Sequence, residues 1–211
     1  HVDSIDSQLA WEPPEAGARP DGSLPEDPGD WEGVVRELFE DHLSPAYNPA
    51  SGGYMAYVPG GGLLHSAVAD LIANTVNRYI TVWHAAPRLA ELEAEVVDWF
   101  RQLAGLPDTG GGYLTTGGSL ANWSAVVTAR TCRLPENFLD GVIYTSDQAH
   151  HSVARAARLS GFPADNVRLV ESDSEYRVSL DQLEQRIVED REAGRSPFMV
   201  VGHAGTTNTG A

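Results

Sequence analysis

The chain has 211 residues, a formal net charge of −16 at pH 7 and 42% hydrophobic residues, enough apolar content to build one large α/β domain or two small ones. Its acidic balance excludes a nucleic-acid binder, which needs clustered positive charge to displace counterions. A single cysteine, Cys132, forms no internal bridge, no apolar run approaches the roughly 20 residues that span a bilayer, and no charged-then-apolar leader opens the sequence, so a reducing, cytoplasmic setting is expected.

Twelve acidic residues lie between Asp3 and Asp41 against only Arg19 and Arg36, and residues 1–29, rich in Pro, Gly, Asp and Glu, read as an extended, solvated arm. Asp30 is placed as a helix N-cap. Behind it Trp31, Val34, Val35, Leu38 and Phe39 recur at helical spacing, a stripe that requires an apolar surface to cover it. Residues 44–62 form a loop dense in Gly, Pro and Tyr, whose length and aromatic content fit a pocket wall as well as a surface connection. Two further helices are predicted over 63–77 and 87–104. The second has Pro87 at its first position, Gly105 as its stop, and Leu89, Leu92, Val96, Trp99, Phe100 and Leu103 on one apolar face.

From Gly110 the pattern changes to alternating units. Strands are predicted over 112–115, 141–145, 167–171 and 197–202, and helices over 119–132, 151–159 and 180–193, the last opened by a capping box of Ser179 with Gln182. Such alternation implies an α/β fold, a mostly parallel sheet covered by helices on both faces, with ligands held outside the carboxyl ends of its strands. The expected division is an N-terminal arm and helical segment over 1–105, followed by the start of the sheet domain over 106–211.

Three loops at those strand ends are polar. T-T-G-G-S (115–119) precedes a helix: Gly117 and Gly118 allow close approach of the backbone, Ser119 offers a hydroxyl, and first-turn N–H groups point at an anion, although the same turn also serves as a plain strand-to-helix connection. S-D-Q-A-H-H (146–151) brings a histidine pair, and His150 standing alone would more often be a surface or helix-capping residue. G-H-A-G-T-T-N-T-G-A (202–211) brings a threonine-rich turn. Three such loops at equivalent positions point to one shared crevice.

The ordered motifs T-T-G-G-S-L-A-N, S-D-Q-A-H-H-S-V-A-R-A-A and A-G-T-T-N-T-G-A resemble those of the pyridoxal-phosphate-dependent group II amino-acid decarboxylases, the family of the aromatic-amino-acid and glutamate decarboxylases. The upstream text Y-V-P-G-G-G-L-L-H-S-A-V-A-D-L and A-E-L-E-A-E-V-V-D-W-F is similar to the same family, so the likeness covers roughly residues 30–211. It implies the large domain of a fold-type I pyridoxal-phosphate enzyme, preceded by a helical segment that clasps a second subunit in a homodimer. It further implies that Gly118 and Ser119 hold the cofactor phosphate, that His150 lies against the pyridine ring as a catalytic group, and that Thr207, with Thr206 as the alternative, bonds the cofactor's edge. Tyr57 and Pro59 match the family's substrate-pocket loop, and Trp83 lies in a segment that reaches a neighbouring active site across the dimer.

Leu120 stands where the family usually has glutamate, and Val58 and Gly60 are smaller than the residues of its aromatic-specific members, which leaves the substrate open. Tyr57, Val58, Pro59 and Tyr79 lean towards an aromatic or aliphatic side chain, since no arginine in the loop clamps a second carboxylate. The family's chemistry needs a Schiff-base lysine and an aspartate that keeps the pyridine nitrogen protonated. All fourteen basic residues here are arginine. The expectation is therefore an N-terminal part of a longer enzyme, inactive alone, whose C-terminal part brings both groups. The resemblance implies decarboxylation of an L-amino acid; a lyase, aldolase or aminotransferase on the same fold, or a non-catalytic remnant, are the alternatives.

Overall fold

The computed structural model describes residues 26–44, 46–55, 57–58 and 60–210, and the chain divides after Asn77 into two compact units. Among the described residues no helix is long and apolar enough to cross a membrane.

In the first unit, helix α1 (Trp31–Glu37) starts where the sequence places it: the Asp30 carboxylate accepts from the Gly33 N–H at 2.8 Å. The helix then widens into a π-helical stretch, Leu38–Leu43. Helix α2 (Leu64–Val76) stops at Asn77, which takes a left-handed conformation (φ 41°) and returns its N–H to the Ala73 carbonyl at 2.9 Å. None of the described residues in these helices is buried, and Trp31 of the stripe read from the sequence is 77% exposed. The loop between them is folded by its short polar side chains. Asn48 Oδ1 accepts from the Ala50 N–H and Ser51 Oγ from the Gly53 N–H.

The second unit opens with a 3₁₀ turn, Trp83–Ala85, and helix α3 (Pro87–Leu103). Arg101 binds α3 to the chain that follows, donating to Asp98, to the Leu106 carbonyl and to Asp108.

Helix α4 (Gly118–Arg133), strand β1 (Gly141–Ser146), helix α5 (Ser152–Leu159), strand β2 (Val167–Val170), helix α6 (Leu180–Glu192) and strand β3 (Ser196–Val201) follow in that order. The sheet is parallel with order β2-β1-β3, and Ile143 stands opposite both Val167 and Met199. β1 is the central strand and every one of its residues is buried, as a continuous V-I-Y run covered on two faces requires. Its alternation sorts the layers. Ile143 joins Val126 of α4, Ala156 and Ala157 of α5, and Phe162 in one core, while Tyr144 faces the other way and donates to Asp190 of α6 at 2.7 Å. The α/β architecture, with helices on both faces of a parallel sheet, is the one expected.

Two local expectations change. Residues 112–115 are not a strand: among the described residues nothing pairs with them, and Tyr113 and Leu114 are exposed, so three β-prone residues after a glycine run do not make a ladder. The capping box is half made. Ser179 Oγ accepts from the Gln182 N–H, but the Ser179 N–H goes to the Glu171 carbonyl, a tertiary acceptor that takes the place of the Gln182 side chain.

Candidate functional site

The connection into α4 is built around one glycine conformation. Gly117 has φ 151° and ψ 168°, a region that residues with a Cβ avoid, and the Thr115 hydroxyl donates to its carbonyl at 3.0 Å. That same carbonyl accepts from Leu120 and Ala121. The N–H groups of Gly118 and Ser119 therefore have no helical acceptor, and among the described residues no side chain caps the helix. A Cβ added at Gly117 or Gly118 would meet nothing within 4 Å, so the space beside these amides is open. A helix start with free amides and open space in front of it is a site for an anion.

A cleft of about 380 Å³ lies in front of that helix start, at the carboxyl ends of β1 and β3. α4 contributes Gly118, Ser119 and Asn122. The connection after β1 and the start of α5 contribute His150, Ser152 and Val153, and the end of β3 and its following loop contribute Val201, Gly202, His203 and Thr207. The three polar loops thus reach one crevice, the position where a parallel sheet opens between its crossover helices. Thr206 is not part of this lining. It is buried and its Oγ1 lies 2.6 Å from Thr209 Oγ1 while accepting from the Thr209 N–H, so its hydroxyl is occupied in holding the turn.

His150 is tied down at one nitrogen. Its Nδ1 lies 2.8 Å from Ser152 Oγ and accepts from the Ser152 N–H at 3.3 Å, and Asn122 Nδ2 in turn donates to Ser152 Oγ at 2.8 Å. The His151 ring stands 4.1 Å from that of His150, tilted by 39°. The neighbouring His150 imidazole, then desolvation and the Arg155 charge, hold the His151 pKa below its usual value. On the other side of the same loop, the Ser172 hydroxyl donates to Asp147 at 2.6 Å and holds that carboxyl below the ordinary carboxylate range.

The remaining sequence candidates lie elsewhere. Trp83, in the 3₁₀ turn of the second unit, is 62% exposed and does not line the cleft. Tyr57 belongs to the first unit, is exposed and has a left-handed φ of 61°; Pro59 lies outside the described residues. Asn122, Ser152 and His203 escaped the sequence reading. Asn122 was accessible to it by spacing, since three residues after Ser119 on a helix is the same face. His203 follows the last strand at the position where polar loop residues face a ligand.

The donor set of the cleft suits a phosphorylated, ring-containing group: free helix-start amides and a serine hydroxyl for the phosphate, an imidazole and a threonine hydroxyl for the ring and its edge. The family model for the pyridoxal-dependent decarboxylase conserved domain matches residues 14–211. An aromatic-L-amino-acid decarboxylase of Bacillus atrophaeus is 34% identical over 189 residues, which covers 90% of this chain and 39% of that protein. Among solved structures, Catharanthus roseus tryptophan decarboxylase in complex with L-tryptophan superposes with a TM-score of 0.88 at 24% identity over 99% of this chain and 48% of the other. Oryza sativa tryptophan decarboxylase with pyridoxal phosphate and tryptamine superposes with a TM-score of 0.84 at 25% identity over 99% and 49%. The chain spans less than half the length of the curated relatives it matches.

Proposed function

The chain belongs to the pyridoxal-dependent decarboxylase family, whose cofactor is pyridoxal phosphate, and on that premise we propose that it supplies the phosphate cradle and the ring-facing histidine of an enzyme converting an L-amino acid to its amine. The observation that carries the reading is the convergence of Gly118, Ser119, His150 and Thr207 on one cleft at the carboxyl ends of β1 and β3. The Gly118 and Ser119 amides and the Ser119 hydroxyl hold the phosphate, where the positive end of α4 adds to the attraction. Thr207 bonds the edge of the ring system. His150, part-buried in the same wall, stacks on the ring and presents its free nitrogen to the substrate, and Val153 and Val201 keep water from that side of the cleft. When bound, pyridoxal phosphate supplies the electron sink that accepts the pair left behind by departing carbon dioxide.

The amine that anchors the cofactor aldehyde comes from polypeptide outside this sequence, which contains no lysine. The same additional segment brings the carboxylate for the pyridine nitrogen. The resemblance assigns Tyr57, Pro59 and Trp83 to substrate recognition, and the absence of arginine from residues 44–62 favours an aromatic or aliphatic side chain over a second carboxylate. The exposed Trp31 and Val34 of α1 contribute to the seat of a second subunit in a homodimer, and the lone Cys132 suits a cytoplasmic enzyme. Incubating the complete enzyme with L-amino acids and analysing the products tests the proposal: carbon dioxide with the amine is expected, and a keto acid without carbon dioxide would replace decarboxylation with amino transfer.

A further inference from the structure

The geometry points to Asn122 and Ser152 as positioning residues that hold His150 in a single tautomer, with Nδ1 unprotonated and the proton on Nε2, the nitrogen left to face the cleft. The assignment follows from one donor whose direction is fixed. A backbone N–H only donates, and that of Ser152 points at His150 Nδ1 from 3.3 Å. Nδ1 must then offer a lone pair. The neighbouring hydroxyl agrees: Ser152 Oγ, 2.8 Å from the same nitrogen, accepts from Asn122 Nδ2 at 2.8 Å and so has its own hydrogen free for Nδ1.

The reverse arrangement fails at one contact. Turning the Asn122 amide and letting Nδ1 donate to Ser152 Oγ would bring a ring N–H against the Ser152 N–H, two hydrogens facing each other with no acceptor between them. Ser152 is 2% exposed at the start of α5, so water does not relieve that clash. The relay spans two crossover helices, since Asn122 lies on α4, thirty residues away in sequence. In that tautomer the cleft-facing nitrogen is a hydrogen-bond donor. The neighbouring groups are cationic or titratable in the same sense: His151 against its ring, Arg155 acting on His151 from α5, and His203 in the lining of the same cleft. A neutral donor therefore avoids a like-charge cluster.

The role assigned to Nε2–H rests on the proposed cofactor site, whereas the tautomer itself does not, and the test separates the two. The protein is labelled with ¹⁵N-histidine, the His150 signals are assigned by their loss in His150→Gln, and proton–nitrogen correlation spectra are recorded without cofactor. The wild type is expected to show His150 with an unprotonated Nδ1 and a protonated Nε2. Ser152→Ala keeps the backbone donor and removes the hydroxyl, so it is expected to shift both nitrogens part of the way towards averaged values, Asn122→Ala to do so less, and Ser152→Thr to restore the wild-type pattern, with the other histidine signals reporting that each variant is folded. A protonated Nδ1 in the wild type would overturn the tautomer, and an unchanged pattern in folded Ser152→Ala would overturn the positioning role of the Ser152 hydroxyl and Asn122, leaving the backbone donor alone. Adding pyridoxal phosphate to the same samples then addresses the site: a fixed tautomer with no cofactor-induced shift at His150 would leave the relay standing and remove the cofactor reading.

Discussion

Tyr144 and Asp190, 46 residues apart in sequence, meet at 2.7 Å on the α6 side of the sheet, and Arg168 of β2 closes the group with two bonds to the same carboxylate, at 2.6 and 3.1 Å. The Arg168 side chain also donates to the Asp165 carbonyl. Burial pushes the Tyr144 hydroxyl well above the normal phenol range, so it stays protonated and acts as a donor. Tyr144→Phe is expected to cost about 1 kcal/mol, one net hydrogen bond. Asp190→Ala is expected to cost about 3 kcal/mol, because it leaves a part-buried guanidinium without its counter-charge. Urea denaturation of the two variants checks the order.

The same group sets an acid limit. The Arg168 bond, ahead of the opposing effect of burial and assisted by Tyr144, holds the Asp190 carboxyl below the ordinary carboxylate range. Its folded pKa lies below the value of about 3.9 for an unfolded chain, so the stabilisation is complete above that pH and is lost as pH falls through the depressed folded value. Stability measured against pH between about 6 and 2.5 should fall less steeply in Asp190→Ala than in the wild type, and equal slopes would remove Asp190 from the acid response.

Gly117 and Gly118 are adjacent and equally open, yet they should respond differently to alanine. Gly117→Ala forces a Cβ into a backbone region reserved for glycine and is expected to cost roughly 1–3 kcal/mol. Gly118→Ala adds a side chain inside a helix with nothing within 4 Å and is expected to leave stability within about 0.5 kcal/mol. Thermal unfolding of the pair decides it. Ser119→Ala, which removes only the hydroxyl, should weaken pyridoxal phosphate binding to the complete enzyme about tenfold, measured by equilibrium dialysis, and should leave pyridoxal binding unchanged.

Gly141 is a packing constraint. A Cβ there would sit 2.4 Å from Leu134 Cδ1, 3.0 Å from Phe162 Cε1 and 3.1 Å from the Phe138 carbonyl oxygen. Leu134 packs against the core, the Phe138 carbonyl is held by the Gly141 N–H at 2.9 Å, and the Gly141 carbonyl is itself held by Asn166 Nδ2 at 2.8 Å. Gly141→Ala is expected to destabilise by about 1–3 kcal/mol by urea titration.

What the sequence made legible follows from how local each signal is. Asp30, Pro87 and the apolar run of β1 carry their own instructions, a cap, a helix start and a doubly covered strand, and all three appear as read. Residues 112–115 have strand composition, but a strand exists only through its neighbour, and no pairing rule is written in four residues. Thr206 and Thr207 are adjacent threonines in one turn. Which hydroxyl the turn consumes depends on the reach to Thr209, a distance that spacing does not encode. Asn122 was readable as a residue on the Ser119 face of its helix, but its partner Ser152 is thirty positions away and enters only when α4 packs on α5.

The anchoring amine can be located chemically. Borohydride reduction of the complete enzyme with pyridoxal phosphate, followed by peptide mass spectrometry, should place the cofactor adduct on a lysine outside residues 1–211. An adduct on an internal residue of this sequence would contradict the proposed division of labour.

The most direct measurement is a crystal structure of the complete enzyme with pyridoxal phosphate bound. The phosphate is expected within hydrogen-bond distance of the Gly118 and Ser119 N–H groups and the Ser119 hydroxyl, with the pyridine ring against His150. A phosphate seated away from the start of α4, or a ring that does not touch His150, would contradict the assignment of this cleft.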